Sequence, residues 1–98
     1  MTTAQHTTLE ASYIINPLFL FRWEDSQNAH VLLYPEGIVK LNDTAAAILK
    51  YCTGEYTVNQ SIDALTDEFE GAERETIAQS VVKFLEVSRD KGWIKLNN

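Results

Sequence analysis

The apolar residues of this chain change their spacing near Asn42, and that change sets the fold class. Before it they alternate or form short runs bounded by turn residues. After it they recur every third or fourth position. Leu18 to Trp23 alternate, with Phe19, Phe21 and Trp23 on one side and Leu18, Leu20 and Arg22 on the other. Asn16-Pro17 leads into this strand, and Glu24 to Asn28 is a polar connection. Val31-Leu32-Leu33 is a second strand and Ile38 to Leu41 a third. Between them Tyr34-Pro35-Glu36-Gly37 has Pro and Gly at the second and fourth positions of a type I turn, which predicts a hairpin.

The second half predicts three helices. Asn42 or Asp43 caps the first, whose stripe is Ala45, Ile48, Leu49 and Cys52, with Gly54 as its left-handed stop. Thr57-Val58-Asn59-Gln60 is a capping box opening the second, whose stripe is Val58, Ile62, Leu65 and Phe69. The third starts with Glu73 and Glu75 in its first turn and runs to about Lys91, where Gly92 ends it. Trp93, Ile94 and Leu96 form an apolar tail that packs back on the domain. The expected architecture is α+β and winged-helix-like, a three-stranded antiparallel sheet followed by a three-helix bundle. It occupies residues 15–96 as one domain, behind a flexible leader over residues 1–14.

At about 100° per residue, Ile77, Ala78, Val81, Val82, Phe84, Leu85 and Val87 span roughly 220° of the third helix, more than one core requires. This arc fits a central helix packed on several sides, a flank that lines a groove for a partner, or both at once. The sheet offers the complementary half of such a groove. A three-stranded sheet has two edges, and an edge presents unpaired N–H and C=O groups to which an extended peptide can add. Ile38 to Leu41 is the candidate receiving strand.

Composition narrows the function. With 98 residues, the chain has room for one thin core and no deep, enclosed active site. Eight Lys and Arg stand against fourteen Asp and Glu, a net charge of −6 that disfavours a nucleic-acid partner. The longest apolar run, Pro17 to Phe21, is too short to span a bilayer, and the Thr-rich start has no signal-peptide pattern, which together predict a cytoplasmic protein. His6 and His30 have no partners at ligand spacing, so no metal site is expected. Cys52 lies on an apolar stripe and reads as a core residue rather than a nucleophile. No phosphate loop or cofactor motif is present, and no catalytic residue is expected. Seven acidic residues between Glu55 and Glu75 face Arg74 alone and read as a solvated face. Lys83, Arg89, Lys91 and Lys95 gather near the C-terminus and complement a helix dipole.

The run His30-Val31-Leu32-Leu33-Tyr34-Pro35-Glu36-Gly37-Ile38-Val39-Lys40-Leu41-Asn42, followed by Asp43-Thr44-Ala45, strongly resembles the PqqD family of pyrroloquinoline quinone biosynthesis. The likeness continues through Cys52 to Val58 and from Phe84-Leu85 to Gly92-Trp93, covering about Ile15 to Leu96. It implies a non-catalytic peptide chaperone that binds the precursor peptide PqqA and presents it to the radical S-adenosylmethionine enzyme PqqE. It also implies that the peptide adds as a strand beside Ile38, Val39, Lys40 and Leu41 and lies against the third helix. The helical wheel puts Val81, Val82, Leu85, Ser88 and Arg89 on that wall, with Arg89 placed to pair with a peptide carboxylate. Exchange of the first strand between copies, giving a homodimer in some conditions, is a further implication.

The alternatives are a winged-helix nucleic-acid-binding domain, which needs a basic recognition face, and a generic protein-interaction domain. The exposed side of the third helix instead mixes Glu75, Gln79, Lys83, Glu86 and Asp90. On the peptide-carrier reading, Val39→Pro is expected to weaken peptide binding more than it unfolds the domain.

Overall fold

The computed structural model describes residues 8–97. Its elements run β1 (Ser12–Ile15), β2 (Leu20–Glu24), a 3-10 turn (Asp25–Gln27), β3 (Ala29–Tyr34), β4 (Gly37–Lys40) and α1 (Asp43–Leu49). They continue with β5 (Thr53–Thr57), α2 (Val58–Glu68), α3 (Arg74–Asp90) and β6 (Ile94–Leu96). Two antiparallel three-stranded sheets result, ordered β2-β3-β4 and β5-β1-β6.

The first sheet and the three helices are those the periodicity predicts. Pro35 and Glu36 form the two-residue loop of the hairpin, and Tyr34 faces Gly37 across it. Asn42 rather than Asp43 is the cap of α1, its side-chain oxygen accepting from the Ala45 N–H at 2.7 Å. The capping box of α2 is complete: the Thr57 hydroxyl accepts from the Gln60 N–H, and the Gln60 side chain accepts from the Thr57 N–H. The next two donors of that helix, the N–H groups of Val58 and Asn59, reach the carbonyls of Ala11 and Leu9 at 2.8 and 3.0 Å.

The second sheet corrects the sequence reading. Ser12 to Ile14, expected at the end of a leader, belong to its central strand, and Tyr13 is buried at 3% exposure. Residues 12–14 are thus part of the folded domain, and residues 1–7, with His6, lie outside the described residues. The apolar tail becomes β6, which pairs Tyr13 with Leu96 and Ile15 with Ile94. Gly54 is not a helix stop, because α1 already ends at Leu49. It sits inside β5 at φ +87°, where the β1–β5 register slips between Ser12 and Ile14. A Cβ there would lie 3.1 Å from the Ile14 methyl and 2.7 Å from the Asn97 amide, so glycine is required by both space and conformation.

One core joins the two sheets through the helices. Leu32 and Leu41 come from the first sheet, Tyr13 and Ile94 from the second, and Ile48, Ile62, Leu65, Val81 and Leu85 from the helices between them. The wide apolar arc of α3 is therefore largely a central helix touching several neighbours. Val81 and Leu85 are almost fully buried, Ile77 and Phe84 are half-buried, and Val87 is exposed.

Candidate functional site

Among the described residues β4 pairs with β3 alone, so its other side is an open sheet edge. Its register decides which groups that edge offers. The Leu41 N–H donates to the His30 carbonyl at 3.0 Å, which makes Leu41 and His30 a hydrogen-bonded pair. Antiparallel pairs alternate, so Val39 and Leu32 bond to each other, whereas Lys40 opposite Val31 and Ile38 opposite Leu33 do not. The N–H and C=O groups of Ile38 and Lys40 therefore point outward, and four main-chain groups are available to an added strand. The side chains divide the same way. Ile38 is 46% exposed and Lys40 is exposed on the outer face, while Leu41 is buried and Val39 packs against the core.

This pattern corrects the expectation for Val39→Pro. The Val39 N–H serves the internal ladder, so a proline there breaks the β3–β4 pairing instead of the open edge.

Between α1, the end of α2 and the first half of α3, an apolar cavity of about 250 Å³ opens. Thr44 and Ile48 of α1, Leu65 and Phe69 at the end of α2, and Ile77 and Val81 of α3 line it, with Ala72 and Ser80. Of the five α3 residues expected to form a wall, Val81 alone lines this cavity. Leu85 and Ser88 are core residues at 3% and 0% exposure. Val82 lies on the outer side of α3, in an open depression with Ala78, Gln79, Lys83 and Glu86. Arg89 is engaged within the fold: its guanidinium donates to the Tyr13 hydroxyl at 3.3 Å and sits 5.7 Å from that ring's centre. The sequence reading placed Phe69 on the α2 stripe and Thr44 in the family motif but assigned neither of them, nor Ser80, to a site. Ile77 was legible on the α3 arc, one turn before Val81.

The Ser88 hydroxyl is buried with no hydrogen-bond partner among the described residues. An unpaired buried hydroxyl costs about 1–3 kcal/mol. Ser88→Ala is therefore expected to raise the urea midpoint or leave it unchanged, and to leave peptide affinity unchanged. A lowered midpoint would show that the hydroxyl has a partner.

The rest of the surface offers little chemistry. Burial pushes the Cys52 thiol up to about 12, so it is protonated at neutral pH and a poor nucleophile. The Tyr51 hydroxyl donates to the Glu68 carboxylate, and that bond, with a smaller effect of burial, raises it to about 12 as well. Tyr51 also meets the Tyr56 ring of β5 edge-on at 5.1 Å, so the residue after α1 is tied to both β5 and the end of α2. His30 packs between Phe21 and Trp23, with ring centres 5.3 and 5.2 Å away. Among the described residues no group of three His, Cys, Asp or Glu could hold a metal ion, and no helix is long and apolar enough to cross a membrane. An open strand edge suits binding of an extended chain.

Comparison with known proteins agrees with this architecture. The family described as coenzyme PQQ synthesis protein D (PqqD) matches residues 29–94. A PqqA binding protein of Azotobacter vinelandii is 49% identical over 79 residues, covering 81% of this chain and 84% of the relative. One from Methylococcus capsulatus is 37% identical over 95 residues, covering 97% and 95%. Two solved structures share the fold. The PqqD part of Methylobacterium extorquens PqqCD, described as a stand-alone recognition element for ribosomally synthesised, post-translationally modified peptides, aligns with a TM-score of 0.77. Its identity is 24%, over 96% of this chain and 99% of that one. The heterocyclase TruD aligns at 0.62 and 21% identity, over 89% of this chain and 12% of that one. From its matched motif, its relatives and its fold, this chain belongs to the PqqD family.

Proposed function

We propose that this chain is a non-catalytic peptide carrier that binds the precursor peptide PqqA as an added strand on β4 and presents it to the radical S-adenosylmethionine enzyme PqqE. The observation that carries this reading is the set of outward-facing main-chain groups of Ile38 and Lys40 on a strand with one neighbour. The relatives named as PqqA binding proteins support the choice of peptide. Main-chain bonds along β4 supply affinity, and the apolar cavity between the three helices receives a guest side chain. The partner enzyme performs the chemistry, so the carrier itself needs no cofactor. Its setting is the cytoplasm, and its working unit is the single domain from β1 to β6. A homodimer by exchange of β1 belongs to the same reading. Such an exchange keeps every contact of Tyr13 and moves only the joint at Asn16-Pro17.

Titration of labelled protein with synthetic PqqA, read by backbone amide shifts, tests the placement. The largest changes are expected at Ile38, Lys40 and Leu41, and at Thr44, Ile77 and Val81 around the cavity. If those amides stay still while others move, the peptide binds elsewhere.

A further inference from the structure

The register across the first sheet puts two rows of side chains on its outer face, and both rows end at the open edge of β4. Leu20, Leu33 and Ile38 lie opposite one another, and the two end members are 54% and 46% exposed. The next row is Arg22, Val31 and Lys40. Val31 is buried, so the accessible ends of that row are both cationic. The Arg22 guanidinium already lies 3.5 Å from the Glu24 carboxylate. Lys40 makes no ion pair among the described residues, in a chain of net charge −6.

An added strand extends both rows by one residue. Residues that face each other across a ladder share a face, so guest residues opposite Ile38 and Lys40 project beside them on the outer side. They are two positions apart in the guest whichever way it runs, because the strand period is two. Opposite-charge and apolar cross-strand pairs are favourable, and like charges opposite one another are unfavourable.

Building on the carrier reading, we propose that Ile38 and Lys40 select the guest by a two-residue code: an apolar residue opposite Ile38 and an Asp or Glu opposite Lys40, separated by one residue that faces inward with Val39. Lys40 is then a specificity-determining residue for an acidic position in the peptide. Its main chain holds any strand, and its ammonium group chooses among them.

A charge-reversal cycle tests this. Synthetic PqqA and a set of variants, each with one Asp or Glu replaced by Lys, are titrated against the parent protein, Lys40→Glu and Lys40→Pro. Lys40→Glu is expected to bind unmodified PqqA about three- to fivefold more weakly. One peptide variant is expected to lose a similar factor against the parent and to regain it against Lys40→Glu. Raising the salt from about 0.1 to 0.5 M should shrink both effects, because exposed charges are screened. For the apolar position, alanine substitution two residues from that acid should weaken binding to the parent and have little effect against Ile38→Ala. If no peptide variant is rescued by Lys40→Glu while Lys40→Pro loses binding, the edge receives the peptide and the code is wrong. If Lys40→Pro binds as tightly as the parent, the edge reading itself fails.

Discussion

Lys40→Pro is expected to weaken PqqA binding by roughly 10- to 100-fold, while Lys40→Gln weakens it only severalfold. Both variants lose the ammonium group, so the difference between them isolates the main chain. The proline removes one outward N–H and leaves a guest carbonyl without its donor, a loss of about 1.5–3 kcal/mol. Its ring takes the space the guest backbone needs. The fold should tolerate the change, because Lys40 and Val31 are a non-hydrogen-bonded pair and the β3–β4 ladder keeps its bonds. The urea midpoint is expected to move by less than about 1 kcal/mol equivalent. Val39→Pro should do the reverse. It strips the donor from the buried Leu32 carbonyl and destabilises the domain by about 2 kcal/mol or more. Isothermal titration on folded protein, beside urea unfolding of all three variants, separates the two outcomes. Equal affinities for Lys40→Pro and Lys40→Gln would remove the open edge from the mechanism.

Tyr13→Ala is expected to cost about 3–5 kcal/mol, a large share of what holds a domain of this size together. Tyr13 is 3% exposed at the centre of the β5-β1-β6 sheet, and its ring supports the Arg89 guanidinium. Its hydroxyl also accepts a hydrogen bond from Arg89, so truncation leaves both a cavity and a stranded cation. Leu18→Ala is the control. That leucine is 70% exposed and should change stability by no more than about 0.5 kcal/mol. Equilibrium urea unfolding followed by far-UV circular dichroism measures both. A Tyr13→Ala domain as stable as the parent would mean that residues 12–15 are dispensable, as a leader would be.

These predictions differ in how far the sequence alone anticipates them. The β3–β4 hairpin is local: a two-residue loop, a proline that presets one turn and a glycine that closes it act within about ten residues. The helix caps are equally local, since Asn42 and Thr57 bond to backbone three residues ahead. Such features are readable because the partners are neighbours along the chain. The second sheet is not. β1 is four residues long and follows a Thr-rich stretch, and β5 is Thr-Gly-Glu-Tyr-Thr, with no apolar alternation. β5 forms because β1 supplies its ladder bonds, and β1 because β5 and β6 supply them, from dozens of residues away.

The candidate site divides along the same line. The receiving strand could be named from its motif and its place at the end of a three-stranded order. Which of its residues face outward depends on one register bond, from Leu41 to His30. The helical wheel showed that α3 is apolar over too wide an arc for a single contact. It could not tell that Leu85 meets Tyr13 of β1 and Val58 of α2, that Ser88 is buried, or that Tyr13 engages Arg89.

By itself, then, the amino-acid sequence determined the short-range pieces: three strands, three helices of which two carry side-chain caps, an acidic net charge, and the family to which they belong. Packing in three dimensions decided the rest: the second sheet, the outward pair Ile38 and Lys40, and the cavity between α1, α2 and α3. The physical reason is range. Turn and cap energies depend on adjacent dihedral angles, whereas strand pairing and helix burial depend on distant chain segments being brought together, and only the folded core does that.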